Sequence, residues 1–257
     1  MPYIDFQKLV ALEAEITADA MINWHSAGSS HVGRIQKVNE DAFYHSADQG
    51  LWVVADGMGG LARGDYASSV VVEACFHFGK SNTLAASIRD LETRLRAAHN
   101  RCRQSFKAGK GEPVGSTVAV LFSYGQYIFF LWAGDSRIYR LRGDQLKQNT
   151  IDHTVAQEMS TRGELRPEQV AYHPSAHVLT RAVGVHQTLH LEIDYTTVEP
   201  GDRFLVCSDG IYNELSPADI QQLMSLDSAA KAVDALLGNA LDNGGRDNMT
   251  AIVVDTV

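Results

Sequence analysis

Short apolar runs separated by turn residues dominate the chain from Trp24 onward. Strand-like runs occupy 25–32, 42–47 and 51–55, and two segments with helical periodicity follow at about 63–79 and 83–108. In the second of these, apolar residues line one helical face while the other face is charged. This pattern predicts helices that cover a β-rich core from outside.

The second half of the chain alternates in a similar way. A β-rich block runs from Val114 to about Leu146, with the hairpin signal Tyr124-Gly125-Gln126 between two apolar runs. Residues 153–180 are polar and irregular, which predicts a surface flap. The remaining elements are expected to be strands near 189–198, 203–208 and 249–255, and helices near 217–225 and 228–242.

Residues 1–22 differ in character from the rest. Phe6, Leu9, Leu12 and Ile16 recur near helical spacing with acidic residues between them. We expect an N-terminal appendage formed by a short helix docked on the domain, and a partner-binding arm is the alternative. Residues 23–257 contain no repeat or linker, so one domain of stacked β-sheets with helices outside is predicted.

Composition narrows the range of partners. The formal charge is −9, with 31 acidic against 22 basic residues and no run of Lys or Arg. This excludes the basic surface of a nucleic-acid binder and disfavours a membrane-surface partner. The longest apolar run, Tyr127 to Ala133, is too short to span a bilayer, and no signal-peptide pattern opens the chain.

The cysteines indicate the compartment. Cys75, Cys102 and Cys207 are an odd number without paired spacing, and each lies in an apolar stretch. They are expected to be buried, reduced thiols. We therefore expect a cytoplasmic monomer without nucleic-acid or membrane partners.

Four aspartates each end an apolar run and stand next to glycine or asparagine: Asp56, Asp135, Asp209 and Asp247. Any one of them could be an ordinary turn residue. Together they indicate strand tips that deliver carboxylates to one site, where glycines let carbonyl oxygens and waters come close. Oxygen donors of this kind are the ligands that Mg²⁺ and Mn²⁺ prefer.

Short motifs, four of which contain these aspartates, occur along the chain in a characteristic order. They are Asn39-Glu40-Asp41, Asp56-Gly57-Met58-Gly59-Gly60, Gly115-Ser116-Thr117, Ala133-Gly134-Asp135-Ser136-Arg137, Asp152-His153-Thr154, Leu179-Thr180-Arg181-Ala182-Val183-Gly184, Ser208-Asp209-Gly210 and Arg246-Asp247-Asn248. As an ordered set covering about 24–256, they make the chain resemble the metal-dependent serine/threonine protein phosphatases of the type 2C family, in their compact bacterial form.

The resemblance implies an α+β fold, a central β-sandwich of two antiparallel sheets flanked by α-helices in four layers, α-β-β-α. It also implies two tightly bound Mn²⁺ or Mg²⁺ ions and a weaker third. Asp56 is expected to bridge the two ions, Asp209 and Asp247 to complete the first, and the Gly57 carbonyl and Glu40, directly or through water, to serve the second.

Two catalytic roles follow from the same resemblance. Asp41 is expected to orient metal-bound water, and Asp135 is expected to recruit the third ion together with Asp209. Two cations sharing one carboxylate lower the pKa of a shared water, so that hydroxide can attack phosphorus in line without a covalent nucleophile.

The chain departs from the family pattern at two positions. Gln36 stands where members carry a phosphate-binding arginine, and Met58 stands where the animal and plant branch has a proton-donating histidine. Methionine cannot donate a proton, so a water on an ion held by Asp135 becomes the expected acid. Gln36 is expected to bind phosphate weakly, with help from Arg34 if both lie on one face of a strand.

The sequence therefore predicts hydrolysis of phosphoserine and phosphothreonine on phosphoprotein substrates, opposing a bacterial Ser/Thr kinase. A pseudophosphatase that only binds phosphoproteins is the rival, favoured by Gln36 alone, and hydrolysis of a small phosphoester is a third reading of the same site. The histidines, His153 and His177 among them, lack mutual ligand spacing and are expected to be structural or exposed.

Overall fold

The structure is a computed structural model and describes residues 5–16, 22–58, 63–108 and 114–256, without the side chains of 106–108. Its helices are α1 (Phe6–Glu13), α2 (Gly64–Phe76), α3 (Leu84–Ala108), α4 (Val155–Thr161), α5 (Asp209–Tyr212), α6 (Pro217–Met224) and α7 (Ala229–Asp242), with a 3-10 helix at Pro167–Tyr172. Its strands are β1 (Trp24–His31), β2 (Asp41–Ser46), β3 (Leu51–Met58), β4 (Gly115–Ser116), β5 (Val118–Tyr124), β6 (Tyr127–Ala133), β7 (Arg137–Arg142), β8 (Gln145–Gln148), β9 (Glu192–Thr197), β10 (Arg203–Cys207) and β11 (Met249–Thr256).

The strands form two antiparallel sheets. One sheet has the order β1-β11-β10-β7-β8, and the other has the order β2-β3-β5-β6-β9 with β4 paired to β3. An apolar layer between the sheets includes Trp52, Phe130, Phe204 and Ile252, all almost completely buried. Alternate side chains of each strand enter this layer because successive residues of a strand point to opposite faces.

Helices cover the outer face of each sheet. On the β3-β5-β6 sheet, Val71 of α2 and Leu91 of α3 share an apolar cluster with Val120. On the other sheet, Leu236 of α7 packs in a cluster with Val253. The α+β fold with a four-layer α-β-β-α sandwich is confirmed.

The sheet register gathers the acidic residues at one end of the sandwich. Asp41 and Asp56 are directly paired across β2 and β3. Asp209 follows the end of β10, and Asp247 precedes β11, which is antiparallel to β10. Antiparallel neighbours place the end of one strand beside the start of the next, so both carboxylates reach the same edge.

The flap at 153–180 is more ordered than predicted. It contains α4 and the 3-10 helix. Helix α4 is stabilised by the Thr154 side chain, which accepts from the Gln157 amide, and by burial of Ala156. Pro167 opens the 3-10 helix. Short elements that bury at most one residue leave little apolar periodicity to detect.

Helix α1 packs beside α3, and Glu15, just after the helix, contacts the start of β6. Leu9 and Leu12 join the apolar cluster under α2 and α3, and the Tyr127 hydroxyl donates to Glu15. Residues 1–4 and 17–21 of the N-terminal segment lie outside the described residues.

Among the residues described, no helix is both long and apolar enough to cross a membrane. Cys75, Cys102 and Cys207 are all buried and free of disulfides, as expected.

We predict that Ile252→Ala lowers the free energy of unfolding by about 2 to 5 kcal/mol, because it leaves a cavity between the two sheets. Ile35→Ala is the matched control, since Ile35 is exposed and its removal opens no cavity. Urea denaturation of the metal-free proteins measures both changes. Equal effects of the two substitutions would contradict the assignment of Ile252 to the central layer.

Candidate active site

A cavity of about 350 Å³ opens at the acidic end of the sandwich. Its walls come from both sheets, the 32–40 loop and the flap. The lining residues are Gln36, Glu40, Asp56, Gly57, Met58, Thr117, Asp135, His177, Leu179, Asp209, Asp247 and Asn248.

Asp56 lies near the end of the central strand β3, where its backbone is fixed on both sides. Its amide donates to Thr117 Oγ1 at 2.9 Å, and its carbonyl accepts from the Thr117 amide at 2.8 Å. The Thr117 hydroxyl also lies 2.6 Å from the Ser136 hydroxyl. These contacts hold the Asp56 side chain at the cavity without using its carboxylate oxygens.

Asp41 is the cross-strand partner of Asp56 and is held by one oxygen. Ser208 Oγ and Thr250 Oγ1 both donate to its Oδ2 at 2.7 Å. Its Oδ1 is buried and has no hydrogen-bond partner in the part of the chain that the structure describes. One carboxylate oxygen is thus anchored, while the other remains available to a ligand.

Asn248 attaches the 32–40 loop to the start of β11. Its side-chain carbonyl accepts from the Glu40 amide at 2.7 Å, and its Nδ2 donates to the Val32 and Val38 carbonyls. The Glu40 carboxylate in turn accepts from the Gly64 amide at 3.0 Å, at the first turn of α2. The loop is therefore fixed to both sheets.

Gly57 is required by a close backbone approach. A Cβ at this position would lie 2.1 Å from the Gly64 carbonyl oxygen and 2.6 Å from that of Glu40. Gly64 is equally restricted, because a Cβ there would lie 2.7 Å from the Glu40 carboxylate. The pair allows α2 to begin directly against the acidic cavity.

Asp135 and Asp209 form the opposite wall. The Asp135 carbonyl accepts from the Tyr212 hydroxyl at 2.9 Å, and Asp209 Oδ2 accepts from Asn213 Nδ2 at 3.1 Å. Arg137 is close to this wall but is bound to Asp152 through two nitrogens and stacks over the Tyr212 ring. Its charge is already paired, so it leaves the cavity acidic.

Burial and mutual repulsion raise the pKa of these carboxyl groups. Desolvation is the largest cause for each, and the charges of the neighbouring aspartates add to it. The pKa of Asp209 rises to about 6, that of Asp41 to about 7 and that of Asp135 to about 8, while that of Asp56 rises well above its usual range. No Lys or Arg is among the residues that line the cavity.

These residues fit divalent cations. The cavity presents carboxylate and carbonyl oxygens, the donors that Mg²⁺ and Mn²⁺ prefer, and Asp41 Oδ1 lacks a protein partner among the described residues. Clustered buried carboxylates are stable when ionised only if positive charge compensates them. Cations supply the charge that this part of the protein lacks.

The structure brings most of the expected site residues together. The same cavity is lined by Asp56, Gly57, Glu40, Asp135, Asp209, Asp247 and Gln36. Asp41 is the cross-strand neighbour of Asp56. Gln36 donates to Asp247 Oδ1 at 3.2 Å. Met58 also lines the cavity.

Arg34 does not follow the expectation. The predicted strand register is wrong, because residues 32–40 form a loop of bends in which positions two apart need not share a face. Arg34 is absent from the cavity lining and pairs instead with Asp242 at 3.1 Å. The glycine and asparagine content around this segment was the signal for a loop.

The sequence did not indicate the roles of three residues that line the cavity. Thr117 and Asn248 occur in the recognised motifs, but their bonds to Asp56 and to the 32–40 loop join segments far apart in sequence. His177 was expected to be structural or exposed, and it lines the cavity from the flap, with Nδ1 4.0 Å from Asp209 Oδ2. His153, in contrast, is buried and accepts from the Gly134 amide, a structural role as expected.

We predict that Asp56→Asn stabilises the metal-free protein. Because folding raises the pKa values of the clustered carboxyl groups, their contribution to stability is complete below about pH 4 and is lost as the pH rises through about 6 to 8. The variant removes one repelling charge. Its advantage in free energy of unfolding should grow over this range and reach at least about 1 kcal/mol at pH 8.

Chemical denaturation in EDTA from pH 4 to 8 checks this expectation, with the exposed Asp234→Asn as the control. Excess Mn²⁺ should reverse the order, since the wild type gains more binding energy than the variant. A constant difference between wild type and Asp56→Asn across the pH range would contradict the repulsion.

Comparison with known proteins agrees with this geometry. The family model described as protein phosphatase 2C matches residues 27–251. Serine/threonine protein phosphatase PstP of Mycobacterium tuberculosis is 31% identical over 232 residues, which are 90% of this chain and 45% of that protein. The chain thus spans about half the length of this curated relative.

Solved structures give the same result. PppA of Pseudomonas aeruginosa, described as a key regulatory component of T6SS, superposes with a TM-score of 0.85 at 40% identity, covering 91% of this chain and 98% of that one. The PstP catalytic domain in complex with two manganese ions gives a TM-score of 0.83 at 29% identity, covering 92% and 100%. The chain belongs to the protein phosphatase 2C family.

Proposed function

We propose that this protein is a Mn²⁺- or Mg²⁺-dependent phosphatase that hydrolyses phosphoserine and phosphothreonine on proteins. The convergence of Asp56, Asp135, Asp209 and Asp247 in one cavity with no lining Lys or Arg is the observation that carries the proposal. Divalent cations in such a cluster, when bound, acidify water and neutralise phosphate oxygens.

The chain's own groups would hold these cations in different roles. Asp56 would be shared between two ions, and Asp209 and Asp247 would complete the protein ligands of the first. The Gly57 carbonyl would serve the second, together with Glu40, directly or through water, whose carboxylate is oriented by the Gly64 amide. Asp135 and Asp209 would serve the weaker third ion.

Asp41 orients the attacking water. Its Oδ2 is fixed by Ser208 and Thr250, and Thr250 is hydrogen bonded in turn to Ser30, which accepts from Asn39. This network fixes the direction of Oδ1, the oxygen free to accept a hydrogen bond. A preorganised acceptor aligns water for attack without rearranging during the reaction.

The phosphate end of the cavity is weakly charged. Gln36 offers a neutral amide there, already donating to Asp247. Arg34 is engaged with Asp242, away from the lining residues. We therefore assign weak phosphate binding to Gln36 and no contact to Arg34.

Two exposed apolar residues close in sequence to the cavity lining support a protein substrate. Ile35 and Val178 adjoin the lining residues Gln36 and His177 respectively, and both are more than half exposed. Exposed apolar side chains near a site suit contact with the side chains that flank a phosphorylated residue. A small phosphoester would reach the acidic cavity without using them.

The rival pseudophosphatase lacks support. The carboxylate set is complete, and the matched relatives are named as serine/threonine phosphatases. The likeness to PppA, described as a key regulatory component of T6SS, supports a regulatory role for this protein. Phosphoserine and phosphothreonine on a protein substrate are made by a Ser/Thr kinase, whose action this phosphatase would oppose. Three buried free thiols fit a cytoplasmic enzyme, which we propose acts as a monomer.

We predict that EDTA abolishes phosphatase activity on a phosphothreonine peptide and that Mn²⁺ restores it. Asp209→Asn and Asp247→Asn should each lower kcat at least about a hundredfold, because an amide keeps the shape but lacks the charge that holds a divalent ion. Asp242→Asn is the control, an exposed aspartate outside the cavity. Full activity in Asp209→Asn, or in EDTA, would refute the proposed function.

We predict that Gln36→Arg lowers KM for the phosphopeptide by roughly five- to thirtyfold, which corresponds to about 1 to 2 kcal/mol, with a smaller change in kcat. A guanidinium adds charged, bidentate bonds to phosphate that an amide cannot make. Arg34→Ala should change KM less than about twofold, since Arg34 faces Asp242. Steady-state kinetics decide, and a severe loss in Arg34→Ala would show that this side chain already binds phosphate.

A further inference from the structure

His177 brings an imidazole to the acidic wall from the flap. Ligand atoms of Asp135, His177 and Asp209 all lie within 4.8 Å of one another, and His177 Nδ1 is 4.0 Å from Asp209 Oδ2. Two ligand atoms on one ion with bonds of about 2.1 Å are separated by about 3.0 to 4.2 Å. A shift of no more than about 2 Å would close this set around an ion.

The backbone around His177 is fixed, whereas its ring is free to adjust. Val155 donates to the Val178 carbonyl at 2.9 Å, and Thr154 and Leu179 form an isolated β-bridge, so the residues directly after His177 are tied to the start of α4. The His177 side chain is 64% exposed. The ring can therefore complete the short movement without unfolding the flap.

The other charged side chains of the flap do not compete for this position. Arg162 pairs with Glu164 at 2.7 Å, and Arg166 lies 3.4 Å from Glu168. Both arginines are thus balanced by neighbouring glutamates on the flap itself. His177 is the one histidine, and the one flap residue besides Leu179, among the described residues that line the cavity.

We propose that His177 is a nitrogen ligand of a metal ion shared with Asp135 and Asp209, and that this ion fastens the flap to the catalytic core. The inference rests on the metal-dependent phosphatase proposed above. It adds His177 as a metal ligand, a preference of the site for Mn²⁺, and the attachment of the flap to the core. An imidazole makes the site selective for Mn²⁺ and related transition ions over Mg²⁺, which prefers oxygen donors and retains its waters.

Electron spin echo spectroscopy of the Mn²⁺-loaded protein tests the ligand directly. The remaining cavity donors expected to bind metal are oxygens, so a directly bound nitrogen reports His177. We expect the nitrogen modulation in the wild type and in the control His186→Ala, whose histidine lines a separate cavity. It should be lost in His177→Ala, with at least about tenfold weaker binding of one Mn²⁺ by calorimetry.

Limited trypsin digestion tests the attachment of the flap. Arg162 is an exposed cleavage site, and Mn²⁺ should slow the cleavage after it severalfold in the wild type and in His186→Ala but not in His177→Ala. Mg²⁺ should protect none of these three proteins. His177→Asp replaces the nitrogen with oxygens and should restore protection with both ions.

The outcomes separate this inference from the function on which it rests. Suppose that the wild type binds Mn²⁺ and hydrolyses phosphopeptide. Either the absence of a bound nitrogen in the wild type, or flap protection in His177→Ala equal to that of the wild type, then overturns the role of His177 and leaves the phosphatase intact. A wild type that binds no Mn²⁺ overturns both.

Discussion

The rest of the site depends on one electrostatic constraint, the packing of several carboxylates in a buried space that no Lys or Arg lines among the residues that the structure describes. Asp41, Asp56, Asp135 and Asp209 all have raised pKa values because burial and their neighbours oppose ionisation. Arg137, a cation beside the Asp135 wall, is already paired with Asp152. The cluster is therefore costly to the folded protein unless cations are bound, and this cost makes it a metal site.

The fold sustains this arrangement through neutral hydrogen bonds to the backbone of some acidic residues and to one carboxylate oxygen of others. Thr117 fixes the Asp56 backbone, and Asn248 ties the 32–40 loop to β11. The tight packing of Gly57 against Gly64 brings α2 to the cavity edge. Because these bonds avoid most carboxylate oxygens, the sandwich positions the ligands while leaving them free to bind ions.

The sequence predicted the layers and the acidic cluster because their signals are local. Apolar runs ending in Asp56 or Asp209 mark strand ends, and ordered motifs identify the family. The bends at 32–40, which direct Arg34 toward Asp242, depend on Asn248 more than two hundred residues away. His177 reaches the cavity through the pairing of Val155 with Val178 and of Thr154 with Leu179. No periodicity along the chain encodes such long-range contacts.

Anomalous X-ray diffraction from crystals soaked in Mn²⁺ is the decisive measurement, because it locates the ions without assuming any activity. We expect strong anomalous peaks inside the cavity, in contact with Asp56, Asp209 and Asp247. Ordered Mn²⁺ found only elsewhere on the molecule would contradict a metal site at the carboxylate cluster. So would a cavity that stays free of Mn²⁺ at saturating concentration while the carboxylates keep their positions.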